Sequence, residues 1–186
     1  MSDQEKFNKF TKEAKQALIV AQDVAKKTGT SYVGTEHILI GILSQKNSLG
    51  ATILQNFGVS LENVNLVLKT VGRTQSVQRS GKTPGGLSGF AKKVIEDAVK
   101  SAHEFNHTFV GTEHLLYALV EQENTAATVI LENMKISSED IKKEIVRAFE
   151  TLKHTPLSNE QGQVPNNGMV NPLEFFLNGL QGVIAG

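Results

Sequence analysis

Hydrophobic residues in the first part of the chain recur at steps of three and four, the spacing of one face of an amphipathic helix. The apolar members of this stretch are Phe7, Phe10, Ala14, Ala17, Leu18, Ala21, Val24 and Ala25. We therefore predict one helix that ends at Gly29, with alanines where another helix approaches closely. Shorter apolar groups predict a buried helix from Thr35, a third helix around residues 50–56 and a fourth after Ser60.

The start of the predicted fourth helix carries a capping pattern. Val59 precedes Ser60, and Val64 stands at the fourth helical position, so that the two valines form a hydrophobic staple around an N-cap. The same device returns later in the chain as Ile136, Ser137 and Ile141.

The whole pattern occurs twice. Residues 33–39, Val-Gly-Thr-Glu-His-Ile-Leu, return as residues 110–116, Val-Gly-Thr-Glu-His-Leu-Leu, at an offset of 77. Matching residues continue outward at this offset without a gap, from Phe10 and Leu87 to Val71 and Ala148. A period this long predicts two multi-helix units and not a short solenoid repeat. The predicted fold is all-α, with two tandem, pseudo-symmetric four-helix repeats, eight helices in all, no strands to speak of and a disordered C-terminal tail.

The duplication predicts a repeat domain over residues 1–152. Repeat one covers about 7–72, a linker 73–87 and repeat two about 88–152. The linker is rich in Gly, Ser, Thr and Gln, which is typical of an exposed connection. Beyond residue 152 the periodicity is lost, and residues 153–186 are predicted to be a flexible tail or linker with a short apolar end.

Composition narrows the classes of partner. Lys plus Arg equals Asp plus Glu, 19 of each, so there is no basic field for a nucleic acid or an anionic membrane. There is no cysteine, the charged start lacks the apolar core of a signal peptide, and no apolar run approaches the roughly 20 residues that span a bilayer. We expect a soluble, cytoplasmic protein.

Two further stretches carry weak chemical signals. Residues 80–83, Ser-Gly-Lys-Thr, resemble the end of a P-loop, but Ser76 stands where that motif needs glycine, and a linker is favoured. His103 and His107 are four residues apart, and with the Glu-His pairs they leave a small metal-dependent hydrolase as a distant alternative. The zinc-protease order His-Glu-x-x-His is not met, however. We expect no catalytic residue, metal or cofactor, and we predict that His37 and His114 bond locally and lock each connector against its helix.

The repeated stretch Gly-Thr-Glu-His, residues 34–37 and 111–114, admits a structural and a functional interpretation. In the structural one, Thr35 is the N-cap, Glu36 complements the helix dipole and His37 packs. In the functional one, the helix N-terminus offers N–H groups to an anion, and the neighbouring carboxylate offers a bidentate partner to a guanidinium. Two copies would make two similar pockets.

At these residues the chain resembles the Clp N-terminal domain family, the tandem-repeat helical modules that precede the ATPase rings of Clp/Hsp100 unfoldases. The resemblance covers about residues 7–152. It is carried by Phe10-Thr11-Lys12-Glu13-Ala14 and by residues 31–39 with their copy at 108–116. Glutamate in both copies resembles the ClpC-type branch.

The resemblance implies a binding module for substrate proteins and adaptor proteins, working with a Clp ATPase ring. In the ClpC-like branch each repeat can bind phosphoarginine, a degradation mark. By position, Glu36 and Glu113 would hold the guanidinium. Thr35 and Thr112 would help to hold the phosphate at the helix start, together with the nearby connector backbone of Val33, Gly34, Val110 and Gly111. The sequence has no Walker motif, so the chain is expected to be the front end of an unfoldase or a free-standing adaptor that uses an apolar groove.

Overall fold

The computed structural model describes residues 3–71 and 86–153. Repeat one holds α1 (Asp3–Asn8), α2 (Lys12–Lys27), β1 (Tyr32–Val33), α3 (Thr35–Ser44), α4 (Leu49–Asn56) and α5 (Leu61–Val71). Repeat two holds β2 (Gly86–Leu87), α6 (Gly89–Glu104), α7 (Thr112–Glu121), α8 (Ala126–Asn133) and α9 (Ser138–Lys153). The predicted all-α fold is confirmed. Each repeat has the four expected helices, and the short α1 precedes them.

The prediction of one continuous first helix is wrong in one respect, because the helix is interrupted at residues 9–11. The Thr11 hydroxyl accepts the Ala14 N–H at 3.1 Å and caps α2, while Phe10 forms an isolated parallel bridge with Val110 of the other repeat. The partner that interrupts the helix lies about a hundred residues away, so local periodicity does not reveal it. The predicted end is confirmed, since Gly29 adopts φ +70°, a conformation that suits glycine.

Two strands of two residues each also form, which fits the expectation of an essentially all-helical chain. β1 and β2 pair in parallel, with Tyr32 opposite Gly86 and Val33 opposite Leu87. The last two residues of the predicted linker, Gly86 and Leu87, are thus part of β2. At the offset of 77, Leu87 is equivalent to Phe10 and Val110 is equivalent to Val33. The Val33–Leu87 pairing is therefore the counterpart of the Phe10–Val110 bridge. The segment that leads into each repeat therefore pairs with the connector of the other repeat.

Both predicted staples are confirmed. The Ser60 hydroxyl accepts the Asn63 N–H at 3.2 Å, and the Ser137 hydroxyl accepts the Asp140 N–H at 3.3 Å. Val59, Val64 and Ile141 are buried. Serine side chains also cap α4 and α6, at Ser48 and Ser88. The ends of these helices are therefore fixed by local sequence.

The two repeats share one hydrophobic core. Within each repeat the first long helix packs on the short buried one, α2 on α3 and α6 on α7, and between repeats α3 and α4 pack against α7 and α8. This arrangement puts the N-termini of α3 and α7, and with them both Gly-Thr-Glu-His turns, at the contact between the repeats.

Two parts of the chain that carried predictions, the linker up to residue 85 and the tail from residue 154, lie outside the described residues. They include the P-loop-like residues 80–83. Across residues 3–71 and 86–153, no helix combines the length and the apolar character needed to cross a membrane.

Candidate functional site

The N-caps of α3 and α7 are glycines and not the predicted threonines. Gly34 and Gly111 have extended backbones, with φ −98° and −94°, and helical geometry begins at Thr35 and Thr112. The prediction that Thr35 is the N-cap is therefore wrong by one residue. The physical reason is that the threonine hydroxyl is bonded elsewhere and a histidine performs the local capping.

Histidine at the third helical position closes each turn. The Gly34 N–H donates to Nδ1 of His37 at 2.8 Å, and the Gly111 N–H donates to Nδ1 of His114 at 2.9 Å. This is the reciprocal half of a capping box, with imidazole in the place of glutamate or glutamine. An accepting Nδ1 requires the neutral ring with its proton on Nε2. The prediction that both histidines bond locally and lock the connectors is confirmed.

The two glutamates fold back over the same turns. A methyl group built on Gly34 would overlap the Glu36 carboxylate, and one built on Gly111 would overlap that of Glu113. The carboxylates therefore cover the glycines and lie near the end of the helix, where the macrodipole favours an anion. About one sixth of each side chain stays exposed, 16% for Glu36 and 17% for Glu113.

The charged groups of these turns influence one another. Burial lowers the pKa of His37, and the Glu36 carboxylate opposes this shift without cancelling it. Burial acts to raise the pKa of the Glu113 carboxyl, but that pKa lies below its ordinary value, and the backbone N–H of Glu113 acts to lower it. Glu113 is thus kept ionised at neutral pH, and His37 is kept neutral.

The two threonines face the opposite repeat. The Thr35 hydroxyl accepts the Ala127 N–H at 3.1 Å, and the Thr112 hydroxyl accepts the Gly50 N–H at 3.0 Å. Both threonines are buried, and so are the connector residues Val33 and Val110. The structure thus gathers the eight predicted site residues into two turns, in which the glutamates are the members whose side chains reach solvent.

Repeat two carries an aromatic cluster that sequence reasoning missed. Nδ1 of His107 lies 2.8 Å from Nε2 of His114, and the Phe149 ring stacks on His114 with centroids 4.9 Å apart. At the offset of 77, repeat one has Thr30 and Gly72 at the positions of His107 and Phe149. Comparison of the two copies position by position would have exposed this difference.

The alternative based on metal chemistry finds little support. His103 is exposed, whereas His107 faces His114, so the two histidines do not form the pair that their spacing suggested. Among the described residues, no group of three or more His, Asp and Glu side chains could hold a metal ion.

The two four-helix repeats pair their backbones with each other and carry equivalent Gly-Thr-Glu-His turns. This arrangement defines a tandem-repeat helical module. The sequence profile of the family described as "Clp repeat (R) N-terminal domain" matches residues 9–134 and 86–169. The chain belongs to this family of Clp N-terminal domains.

Relatives in sequence are Clp ATPase subunits. A probable ATP-dependent Clp protease ATP-binding subunit of Chlamydia pneumoniae is 35% identical over 147 residues, which cover 78% of this chain and 17% of the relative. Chaperone protein ClpC3, chloroplastic, of Oryza sativa subsp. japonica is 30% identical over 164 residues, which cover 84% and 17%. The chain thus spans about a sixth of the length of these relatives.

Solved structures share the fold. The N-terminal domain of ClpD from Arabidopsis thaliana superimposes with a TM-score of 0.68 at 19% identity, covering 77% of this chain and 96% of that one. The N-domain of ClpV, in complex with a VipB peptide, gives a TM-score of 0.59 at 16% identity, covering 81% and 92%.

Proposed function

We propose that this chain is the substrate- and adaptor-recognition module of a Clp ATP-dependent unfoldase, and that each repeat binds phosphoarginine on marked proteins. Membership of the Clp N-terminal domain family supports the first part. The relatives described as ATP-binding subunits of Clp proteases, and the ClpV N-domain described in complex with a peptide, agree with it. The proposal gives the chain a binding role, with no catalytic residue and no cofactor. A cytoplasmic location stays a prediction.

The position of the two carboxylates carries the phosphoarginine proposal. In each repeat a carboxylate lies against a helix N-terminus and keeps one edge in solvent. The same place suits a phosphate, because first-turn N–H groups are without intrahelical acceptors. A phosphate would displace the carboxylate, which would turn outward and pair with the guanidinium. Phosphoarginine supplies both groups, with the cation next to the phosphate.

The other predicted residues take narrower roles in this proposal. The N–H groups of Gly34 and Gly111 already donate to histidine, so the phosphate would be held by the N–H groups that follow them. The hydroxyls of Thr35 and Thr112 are engaged across the repeats, so these residues would contribute their backbones. Val33 and Val110 would hold the connectors in place.

Calorimetry with free phosphoarginine tests the proposal. We expect binding at up to two sites, and no comparable binding of arginine or phosphoserine, because each lacks one of the two groups. Glu36→Gln and Glu113→Gln should each remove one site, and the double variant should remove both while the helical circular dichroism is retained. Glu132→Gln, on the exposed surface of α8, is the matched control and should bind like the wild type.

Absence of binding by the folded wild-type protein at millimolar phosphoarginine would overturn the phosphoarginine part. A second candidate would then remain, which is protein binding through apolar surface. Phe90 and Phe109, both in repeat two, are 51% and 57% exposed. Exposed aromatic side chains are typical anchors at protein interfaces.

A further inference from the structure

The threonine of each Gly-Thr-Glu-His turn joins its turn to the other repeat. Thr35 is the first residue of α3, and its hydroxyl accepts from the second residue of α8, Ala127. Thr112 is the first residue of α7, and its hydroxyl accepts from the second residue of α4, Gly50. The two bonds are equivalent under the offset of 77, so they form a reciprocal pair.

Both bonds satisfy groups that the helices cannot satisfy themselves. The N–H groups of the first turn of a helix have no intrahelical partner, and a buried N–H without an acceptor is costly. Ala127 and Gly50 are buried, so loss of the threonine acceptor would leave each N–H poorly solvated. The contact at Gly50 is also close, since a Cβ there would lie 2.8 Å from the carbonyl carbon of Thr112. Each hydroxyl is therefore held firmly on the opposite repeat.

Each threonine directly precedes the carboxylate proposed to bind the ligand, Glu36 or Glu113. We propose that Thr35 and Thr112 are positioning residues, which hold the binding turn of one repeat by a hydrogen bond to the other repeat. When a phosphate replaces the Glu36 carboxylate at the first turn of α3, the effect on the turn then reaches α8 through the Thr35 bond. Replacement of the Glu113 carboxylate at α7 reaches α4 through the Thr112 bond in the same way. The binding half of this inference rests on the proposed function, whereas the inter-repeat bond does not.

Amide hydrogen exchange in the ligand-free protein tests the bond. Thr35→Val keeps the shape of the side chain but removes the acceptor, so protection of the Ala127 amide should fall by roughly tenfold, the scale of one buried hydrogen bond. Thr35→Ser keeps the hydroxyl and should restore most of the protection. Thr52→Val, at an exposed threonine of α4, is the control and should leave Ala127 unchanged. Should Thr35→Val fail to fold, Thr112→Val, read at the Gly50 amide, carries the same test.

A phosphoarginine titration in a Glu113→Gln background, which leaves site one alone, tests the positioning role. We expect Thr35→Val to weaken binding and Thr35→Ser to restore it. We also expect the Ala127 amide resonance, in the other repeat, to move on binding in the parent and in the serine variant but not in the valine variant.

The outcomes are separable. Weaker binding by Thr35→Val with unchanged Ala127 exchange would mean that the hydroxyl contacts the ligand directly, and the inference would be overturned. Unchanged binding and unchanged exchange would overturn it as well. If even the wild type fails to bind phosphoarginine, the proposed function fails, while the exchange of Ala127 and Gly50 still decides whether the threonines hold the repeats together.

Discussion

In each Gly-Thr-Glu-His turn, three side chains have different roles at the N-terminus of the helix. Histidine accepts from the glycine N–H, glutamate covers the glycine, and threonine leaves the turn to cap a helix of the other repeat. Glycine fits this arrangement because its missing Cβ leaves room for the carboxylate. The motif is thus a structural device, and a binding function would use the exposed edge of the glutamate.

Stability should depend on the protonation of His37. Burial holds its pKa in the folded protein below the value of about 6.5 expected in the unfolded chain. The unfolded state therefore takes up the proton more readily, and stability that is complete above about pH 6.5 should be lost as the pH falls toward the folded-state pKa. Protonation of Nδ1 would also remove the acceptor for the Gly34 N–H.

Urea unfolding between pH 7.5 and 5.5 measures this effect. His37→Gln does not titrate, and glutamine at this position can still accept from the N-cap N–H. The variant should therefore lose less stability across the interval than the wild type. Equal losses would show that His37 is not the group responsible.

At the scale of helices, the packing of α2 on α3 depends on Gly41. A Cβ at Gly41 would overlap the carbonyl oxygen of Ala17 and lie 2.9 Å from its carbonyl carbon, so the two backbones are in direct contact. Repeat two has Ala118 at the equivalent position, and there the residue equivalent to Ala17 is Val94. The two repeats therefore share a helix arrangement but differ in how closely the helices approach.

Gly41→Ala should consequently destabilise the protein, by about 1–3 kcal/mol, the usual cost of overpacking. Gly89→Ala is the matched control, because Gly89 is also helical and a Cβ there would meet nothing within 4 Å. The control should be neutral or up to about 1 kcal/mol stabilising, since alanine restricts the unfolded chain. Denaturant unfolding of both variants makes the comparison, and an equal response would contradict close packing at Gly41.

At the scale of the molecule, the repeats are not separate domains joined by a linker. Each contributes to one core, each pairs its leading segment with the other's connector, and each caps a helix of the other. Unfolding of either repeat would expose apolar surface of the other and would leave backbone N–H groups of the other without their acceptors. The two repeats should therefore unfold together.

The two tyrosines of the chain, one in each repeat, test this cooperativity. The sequence contains no tryptophan, so Tyr32→Phe leaves fluorescence from Tyr117 of repeat two, and Tyr117→Phe leaves that of Tyr32 of repeat one. For each variant, the fluorescence transition in urea should coincide with the loss of helical circular dichroism, as expected of a two-state system. A fluorescence midpoint that differs from the circular dichroism midpoint in the same variant would show that one repeat unfolds alone.

The sequence by itself determined the helices, the duplication and the local capping, because these depend on neighbours three or four residues apart or on a comparison of the two copies. The staples at Ser60 and Ser137 and the locking role of His37 and His114 followed in this way. Only the tertiary structure decided what Phe10, Thr35 and Thr112 do. Phe10 leaves the helical pattern for Val110, and both threonines give up local capping for backbone groups of the other repeat. Their partners are chosen by the packing of one repeat on the other, and no local spacing along the chain encodes that contact.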